Sequence, residues 1–204
     1  MKQAVIFDID GTLLRSSHKD DLLYRQAVEC VLGTVKFRSG LADYSHVSDS
    51  GILNQLLIDN GLESDPMTIT AIKDQFLAAT EKYVSDFGPF REIPGARSML
   101  SRLRQSDRYA VAIATGGWRH TAQFKLASAG FELEGVPLKT SDDAIDRVEI
   151  MRLALESLGE SPASITYYGD GPWDELACQK LGWSFRAVGA TLRGIQSYEH
   201  EFVA

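Results

Sequence analysis

The stretch Val5-Ile6-Phe7-Asp8-Ile9-Asp10-Gly11-Thr12 constrains this chain more than any other. An apolar, β-branched run ends abruptly in two carboxylates, a glycine and a hydroxyl. Residues that are apolar at consecutive positions, rather than at alternate ones, predict a strand covered on both faces, as in a parallel sheet. The reading is a buried strand over residues 3–8, with Gly11 letting the backbone turn close to a ligand. Two acids at the tip of such a strand repel each other unless a cation or a reaction uses them.

The chain downstream predicts a long helical stretch before any second strand. Leu22, Leu23, Gln26, Ala27, Cys30 and Val31 form one stripe of a helix over 19–32, closed by Gly33. Residues 34–48 read as irregular and polar. A second helix carries Ile52, Leu53, Leu56 and Leu57 up to Gly61, and a third starts at Asp65-Pro66 and runs to about residue 87. Gly88-Pro89 and Pro94-Gly95 mark the exit.

From there strands and helices alternate. Helices are predicted over 95–105, 118–129, 147–158 and 173–181. Strands are predicted at Tyr109–Ala114, Val136–Lys139, Ile165–Tyr168 and Ser184–Val188. This alternation implies an α/β fold: a doubly wound, Rossmann-like parallel sheet with an inserted α-helical cap. The expected division is 1–15 with 89–204 as core, and 16–88 as cap. In such sheets ligands bind beyond the carboxyl ends of the strands. Three distant segments reach that edge: Asp8/Asp10/Thr12, Thr115/Gly116 and Asp170/Asp174.

Composition narrows the partners. A formal net charge of -7 argues against nonspecific nucleic-acid or acidic-membrane binding. It leaves an anionic substrate open, because a metal and a few placed cations set the local field. No apolar run approaches the roughly 20 residues of a membrane span. The four apolar residues before Asp8 are too few for a signal-peptide core. Cys30 and Cys178 read as free, buried thiols of a reducing compartment. A monomeric, soluble cytoplasmic protein is the expectation.

The crevice residues suit phosphoryl chemistry. Mg2+ takes hard oxygen ligands. Asp8 and Asp170 can supply carboxylates, Asp10 its backbone carbonyl, and Asp174 a bracing or water-mediated contact. Asp8 is the candidate nucleophile on phosphorus, and Asp10 the acid that protonates the leaving oxygen and then activates water. Thr115 and the backbone N–H of Gly116 suit phosphate oxygens at a helix start, with Thr12 as a further candidate. A cation must face them.

With these residues in place, the chain resembles the haloacid-dehalogenase-like superfamily. Within it the chain resembles the helical-cap branch of phosphoglycolate phosphatase and β-phosphoglucomutase-like proteins. The motifs that carry the likeness are Phe7-Asp8-Ile9-Asp10-Gly11-Thr12, Ala112-Ile113-Ala114-Thr115 and Gly169-Asp170-Gly171-Pro172-Trp173-Asp174. The resemblance implies Asp8 as nucleophile, Asp10 as acid/base, Thr115 as a phosphate contact and Asp170 as a Mg2+ ligand. It also implies a lysine at the start of the helix before the last motif. None lies between Lys139 and Lys180, and Arg147 takes that position, with Arg152, Lys139 and Lys125 as fallbacks.

The function implied is a Mg2+-dependent phosphatase for a small phosphorylated metabolite. A phosphomutase is the alternative within the superfamily, and a noncatalytic binding module the alternative outside it. Plainer readings stand beside several residues. Arg147 can pair with Asp143 or Asp146, Asp174 can face a helix dipole, and Asp49 can cap a helix. Trp118, Arg119 and His120 can touch substrate or merely pack. His18 and His46 read as solvated.

Overall fold

The first strand, β1 (Gln3–Phe7), lies in the middle of a five-stranded sheet. The computed structural model describes residues 1–159 and 161–202. The other strands are β2 (Tyr109–Ala114), β3 (Leu138–Lys139), β4 (Ser164–Gly169) and β5 (Ser184–Ala187). Their order is β3-β2-β1-β4-β5, and every pairing is parallel. The α/β fold with a parallel sheet is therefore as expected. Of the stretch 89–204 assigned to the core, positions 160, 203 and 204 lie outside the described residues.

The continuous apolar run of β1 has a direct cause. Val5 and Phe7 point into a cluster with Met99, Leu100 and Leu103 of α4 (Ala96–Arg104) and Ala122 and Leu126 of α5 (Arg119–Ser128). Ile6 points to the opposite face, among Ile150, Met151 and Ala154 of α6 (Arg147–Glu156) and Ala177 and Cys178 of α7 (Pro172–Leu181). A strand with helices on both faces has no side that tolerates polar residues.

Three helices interrupt this alternation between β1 and α4. They are αA (Ser17–Leu32), αB (Asp49–Asp59) and αC (Pro66–Phe87). Asp65 caps αC by accepting from Met67 and Thr68 N–H, with Pro66 in the first turn, as the Asp-Pro signal predicts. αA packs on αC, and Tyr24, Phe76 and Trp118 meet with ring centroids 5.4–6.0 Å apart. Tyr24 and Phe76 come from the insertion and Trp118 from the start of α5, so one apolar cluster spans both.

The two chain crossings into the insertion are tied together. Arg15 N–H donates to Arg91 O (2.8 Å) and Ile93 N–H to Leu13 O (2.9 Å). No helix among the described residues is long and apolar enough to cross a membrane.

Three expectations need correction. The strand read at Val136–Lys139 pairs only over Leu138–Lys139, because Val136 N–H is turned back onto Leu133 O. Residues 34–48 include one 3-10 turn, Leu41–Asp43. Cys30 is exposed rather than buried, since it falls just off the packed stripe of αA, whereas Cys178 is buried; both are free thiols.

Candidate active site

Asp8 lies one residue beyond β1, with its N–H donating to Tyr168 O of β4 (3.0 Å) and its side chain buried. Two further acids come to it from the end of β4 and the start of α7. Oxygens of Asp8, Asp170 and Asp174 all lie within 4.8 Å of one another, a grouping that could hold a metal ion. Gly11 permits this. At φ +75° it takes a left-handed turn, and a Cβ there would overlap the Asp170 carboxylate.

Arg147 enters from the first turn of α6. Its Nη1 donates to Asp8 Oδ1 (3.3 Å), and its Nε lies 3.4 Å from Asp174 Oδ1. The plainer reading of Arg147 does not apply: Asp143 pairs with Arg119, and Asp146 caps α6 by accepting from Val148 N–H. The fallbacks lie elsewhere. Arg152 pairs with Glu149 and Glu156 on an exposed face, and Lys139 lies 3.7 Å from Asp143.

Lys125 does not face Asp8 either. It is almost wholly buried on α5, and its Nζ donates to both carboxylate oxygens of Asp10 (2.7 Å each) and to Asp20 Oδ1 of αA (2.5 Å). Ser16 Oγ donates to Asp10 Oδ1 (2.5 Å).

Above these groups lies a cavity of about 130 Å³. Asp8, Asp10, Asp170, Thr115, Gly116 and Arg147 line its floor, and Asp20, Asp21, Tyr24, Ser48, Asp49 and Ile52 of the insertion line its other wall. Thr115 Oγ1 accepts from Gly117 N–H (3.3 Å). Thr12 is not among the lining residues. Its hydroxyl is fully buried without a partner, and its carbonyl accepts from Tyr198 OH, so the structure does not bring it to the cavity.

The insertion rests directly on this edge. Asp49 N–H donates to Gly116 O (2.8 Å), Trp118 N–H to Asp49 Oδ2 (2.8 Å) and Ser48 Oγ to Ile145 O (2.7 Å). Ser48, not Asp49, caps αB by accepting from Gly51 N–H. Asp49 is thereby free to reach the core. Trp118 is buried and packs against Tyr24 and Phe76; it is not among the residues lining the cavity. His18 and His46 are exposed.

The family model for haloacid dehalogenase-like hydrolases matches residues 2–182. The chain belongs to this family. Among solved structures, CbbY from Rhodobacter sphaeroides in complex with phosphate is similar at TM-score 0.70 and 17% identity, over 99% of this chain and 91% of that one. β-Phosphoglucomutase from Clostridium difficile is similar at TM-score 0.70 and 14% identity, over 93% and 86%. A predicted phosphoglycolate phosphatase from Haemophilus somnus is similar at TM-score 0.62 and 16% identity, over 95% and 89%. At these identities the likeness is one of fold. No curated protein matches the chain.

The charges of this haloacid dehalogenase-like hydrolase are unevenly balanced. Burial pushes Asp170 up to about 8 and Asp174 up to about 7; Asp8 adds repulsion at both, and Arg147 opposes the rise at Asp174. Asp8 is also raised, chiefly by burial, against the pull of Arg147. Burial works against the charges of Arg147 and Lys125, yet their carboxylate partners outweigh it and hold both cations ionised. Three clustered acids with one cation beside them would carry surplus negative charge when ionised, which a divalent ion would neutralise in place of protons. Asp174 Oδ1 is buried without a hydrogen bond, with Arg147 Nε 3.4 Å away. Asp10 stands outside the three-acid group, its side chain taken up by Lys125 and Ser16.

Sequence reasoning missed Lys125 as the partner of Asp10, and missed Ser16 and Asp20 altogether. One signal was present. Lys125 sits on the buried stripe of α5 with Thr121, Ala122 and Leu126, where a charge is anomalous unless it is paired.

Proposed function

We propose that this hydrolase is a Mg2+-dependent phosphatase acting on a small phosphorylated metabolite through an aspartyl-phosphate at Asp8. The observation that carries the reading is the convergence of Asp8, Asp10, Asp170 and Arg147 on the floor of one small cavity. Its volume, about 130 Å³, is below the roughly 300 Å³ at which pockets for drug-sized ligands begin. A phosphoryl group with a short leaving group suits it.

In the first step a carboxylate oxygen of Asp8 attacks phosphorus and the bond to the leaving oxygen breaks, while Asp10 donates a proton to that oxygen. In the second, Asp10 takes a proton from water as the water attacks phosphorus, and the bond to Asp8 breaks, releasing phosphate. Arg147, Thr115 and the backbone at Gly116 would bind the phosphoryl oxygens and hold them in line. Asp8, Asp170, the Asp10 carbonyl and, as a brace, Asp174 would hold Mg2+, which neutralises charge on the transferring group when bound. Residues 16–88 would act as a cap that excludes bulk water.

The test is phosphate release from a panel of phosphorylated metabolites, with and without Mg2+, for wild type and Asp8→Asn. Release that needs both Mg2+ and Asp8 supports the reading; no release from any substrate sinks it. The contacts that seat the insertion on Gly116 and Ile145 also favour a second reading, a phosphomutase that shields its phospho-enzyme from water. Activation by a sugar bisphosphate with little phosphate release would select it.

A further inference from the structure

We propose that Lys125 is a positioning residue for Asp10, and that it ties the acid/base carboxylate of the core to Asp20 of the insertion. This rests on the acid/base reading of Asp10. Lys125 is 1% exposed and offers three donors. Two go to the oxygens of Asp10 and one to Asp20, at 2.5–2.7 Å. Every donor is thus used, and none is left for a substrate phosphate.

The clamp has a defined shape. Lys125 meets Asp10 from α5, and Ser16 meets Oδ1 from the entrance to αA. Oδ1 therefore accepts from two groups and Oδ2 from one, so Oδ2 keeps the free capacity to exchange a proton with water or a leaving oxygen. A carboxylate on a short loop has two free torsions; fixing both oxygens removes the rotation that would carry Oδ2 away from the cavity. Asp10 remains 19% exposed at its side chain while Lys125 is enclosed, so the brace lies behind the acid, away from the reacting group. The division of labour follows: Arg147 contacts Asp8, where the phosphoryl group is transferred, and Lys125 contacts Asp10, where the proton is handled.

The experiment uses 4-nitrophenyl phosphate with Mg2+ and separates the two steps by rapid mixing. Nitrophenolate leaves without needing a proton, so the burst reports phosphorylation of Asp8, and the slower steady phase reports water attack. Lys125→Met leaves Asp20 unpaired, so Lys125→Met/Asp20→Asn, which removes one charge of each sign, is measured beside it, with Asp20→Asn as control. The expected result is a retained burst and a steady phase about 100-fold slower in both Lys125 variants, the cost of a misplaced catalytic group. Asp20 lines the cavity, so Asp20→Asn alone is read by the ratio of the two phases: with the clamp on Asp10 intact it should not slow the steady phase selectively, as the Lys125 variants do.

Adding the Lys125 change to Asp10→Asn should slow it by less than about twofold, because groups that act through one another are not additive. Equal losses in the wild-type and Asp10→Asn backgrounds would overturn the proposal. So would an unchanged steady phase, a loss of burst and steady phase together, an equal selective slowing of the steady phase in Asp20→Asn alone, or failure of both Lys125 variants to fold. Normal turnover by Asp10→Asn would instead refute the reading on which the proposal rests.

Discussion

Arg147 bridges two carboxylates, and that geometry sets what its replacement should do. Its Nη1 serves Asp8 and its Nε faces Asp174, so one planar group spans both. Arg147→Ala is expected to lower kcat by about 100-fold or more, the scale of losing a donor aimed at developing charge. Arg147→Lys should recover part of this, because a single ammonium restores the charge but not the span; steady-state kinetics of the two variants checks it.

The neighbouring acids predict a pH dependence. Asp170 at about 8 and Asp174 at about 7 are both raised by burial above their ordinary range. Below these values protons compete with Mg2+, so affinity should rise as pH increases through about 7 to 8 and then level off. Raised carboxylates also stabilise the metal-free fold at low pH, a contribution lost as pH climbs through 8, so Mg2+ should raise the thermal midpoint more at pH 8.5 than at pH 6. Calorimetric titration and melting curves at both pH values test this, and a Mg2+ affinity that does not change with pH would refute it.

The insertion helices and the strand ends meet at one glycine. A Cβ on Gly116 would lie 3.0 Å from Val47 O and 3.1 Å from both Arg147 Nη2 and Ser48 Cα, whereas one on Gly117 would meet nothing nearer than 3.7 Å. Gly116→Ala is therefore expected to cost about 1–3 kcal/mol and to lower kcat by displacing Arg147 and the insertion. Gly117→Ala should be close to neutral in denaturant midpoint.

The wall supplied by αA and αB carries Asp20, Asp21 and Asp49, and Arg147 is the only cation lining the cavity among the described residues. Leaving groups bearing hydroxyls or an amine should thus give a higher kcat/KM than phosphoglycolate, whose carboxylate meets acceptors and like charge; a higher value for phosphoglycolate would refute this.

The arrangement of the whole molecule makes access to the cavity a mechanical question. Its apolar cluster runs from the sheet through Trp118 into Tyr24 and Phe76, so the insertion is seated on the core by packing as well as by hydrogen bonds. If residues 16–88 act as a cap, substrate entry is expected to loosen the contacts of Ser48 and Asp49 with the core, with residues 13–17 and 88–93 as hinges. The cysteines allow a direct test, because Cys30 is exposed on αA and Cys178 is buried. Spin labels at Cys30 and at Asp107→Cys on the core should show a distance that changes when Mg2+ and a phosphate analogue are added. An unchanged distance would end the gating idea.

Much of this protein could be read directly from its chain. The apolar run before Asp8, the Asp-Pro cap of αC and the regular alternation after residue 95 are local signals. Each is set by backbone geometry and by which faces are covered, so they survive without knowledge of distant contacts. The three motifs were legible for the same reason, since a parallel sheet must deliver its strand ends to one edge.

Beyond Arg147, the pairing of charges was not legible. Arg147 meets Asp8 across 139 residues, and Lys125 meets Asp10 and Asp20 across 115 and 105. Position along the chain nominated Arg147 and kept Lys125 only as a fallback for the same role; it gave no partner for the side chain of Asp10. Which ammonium or guanidinium reaches which carboxylate depends on how α5 and α6 pack on opposite faces of the sheet. That is settled by side-chain packing across the fold.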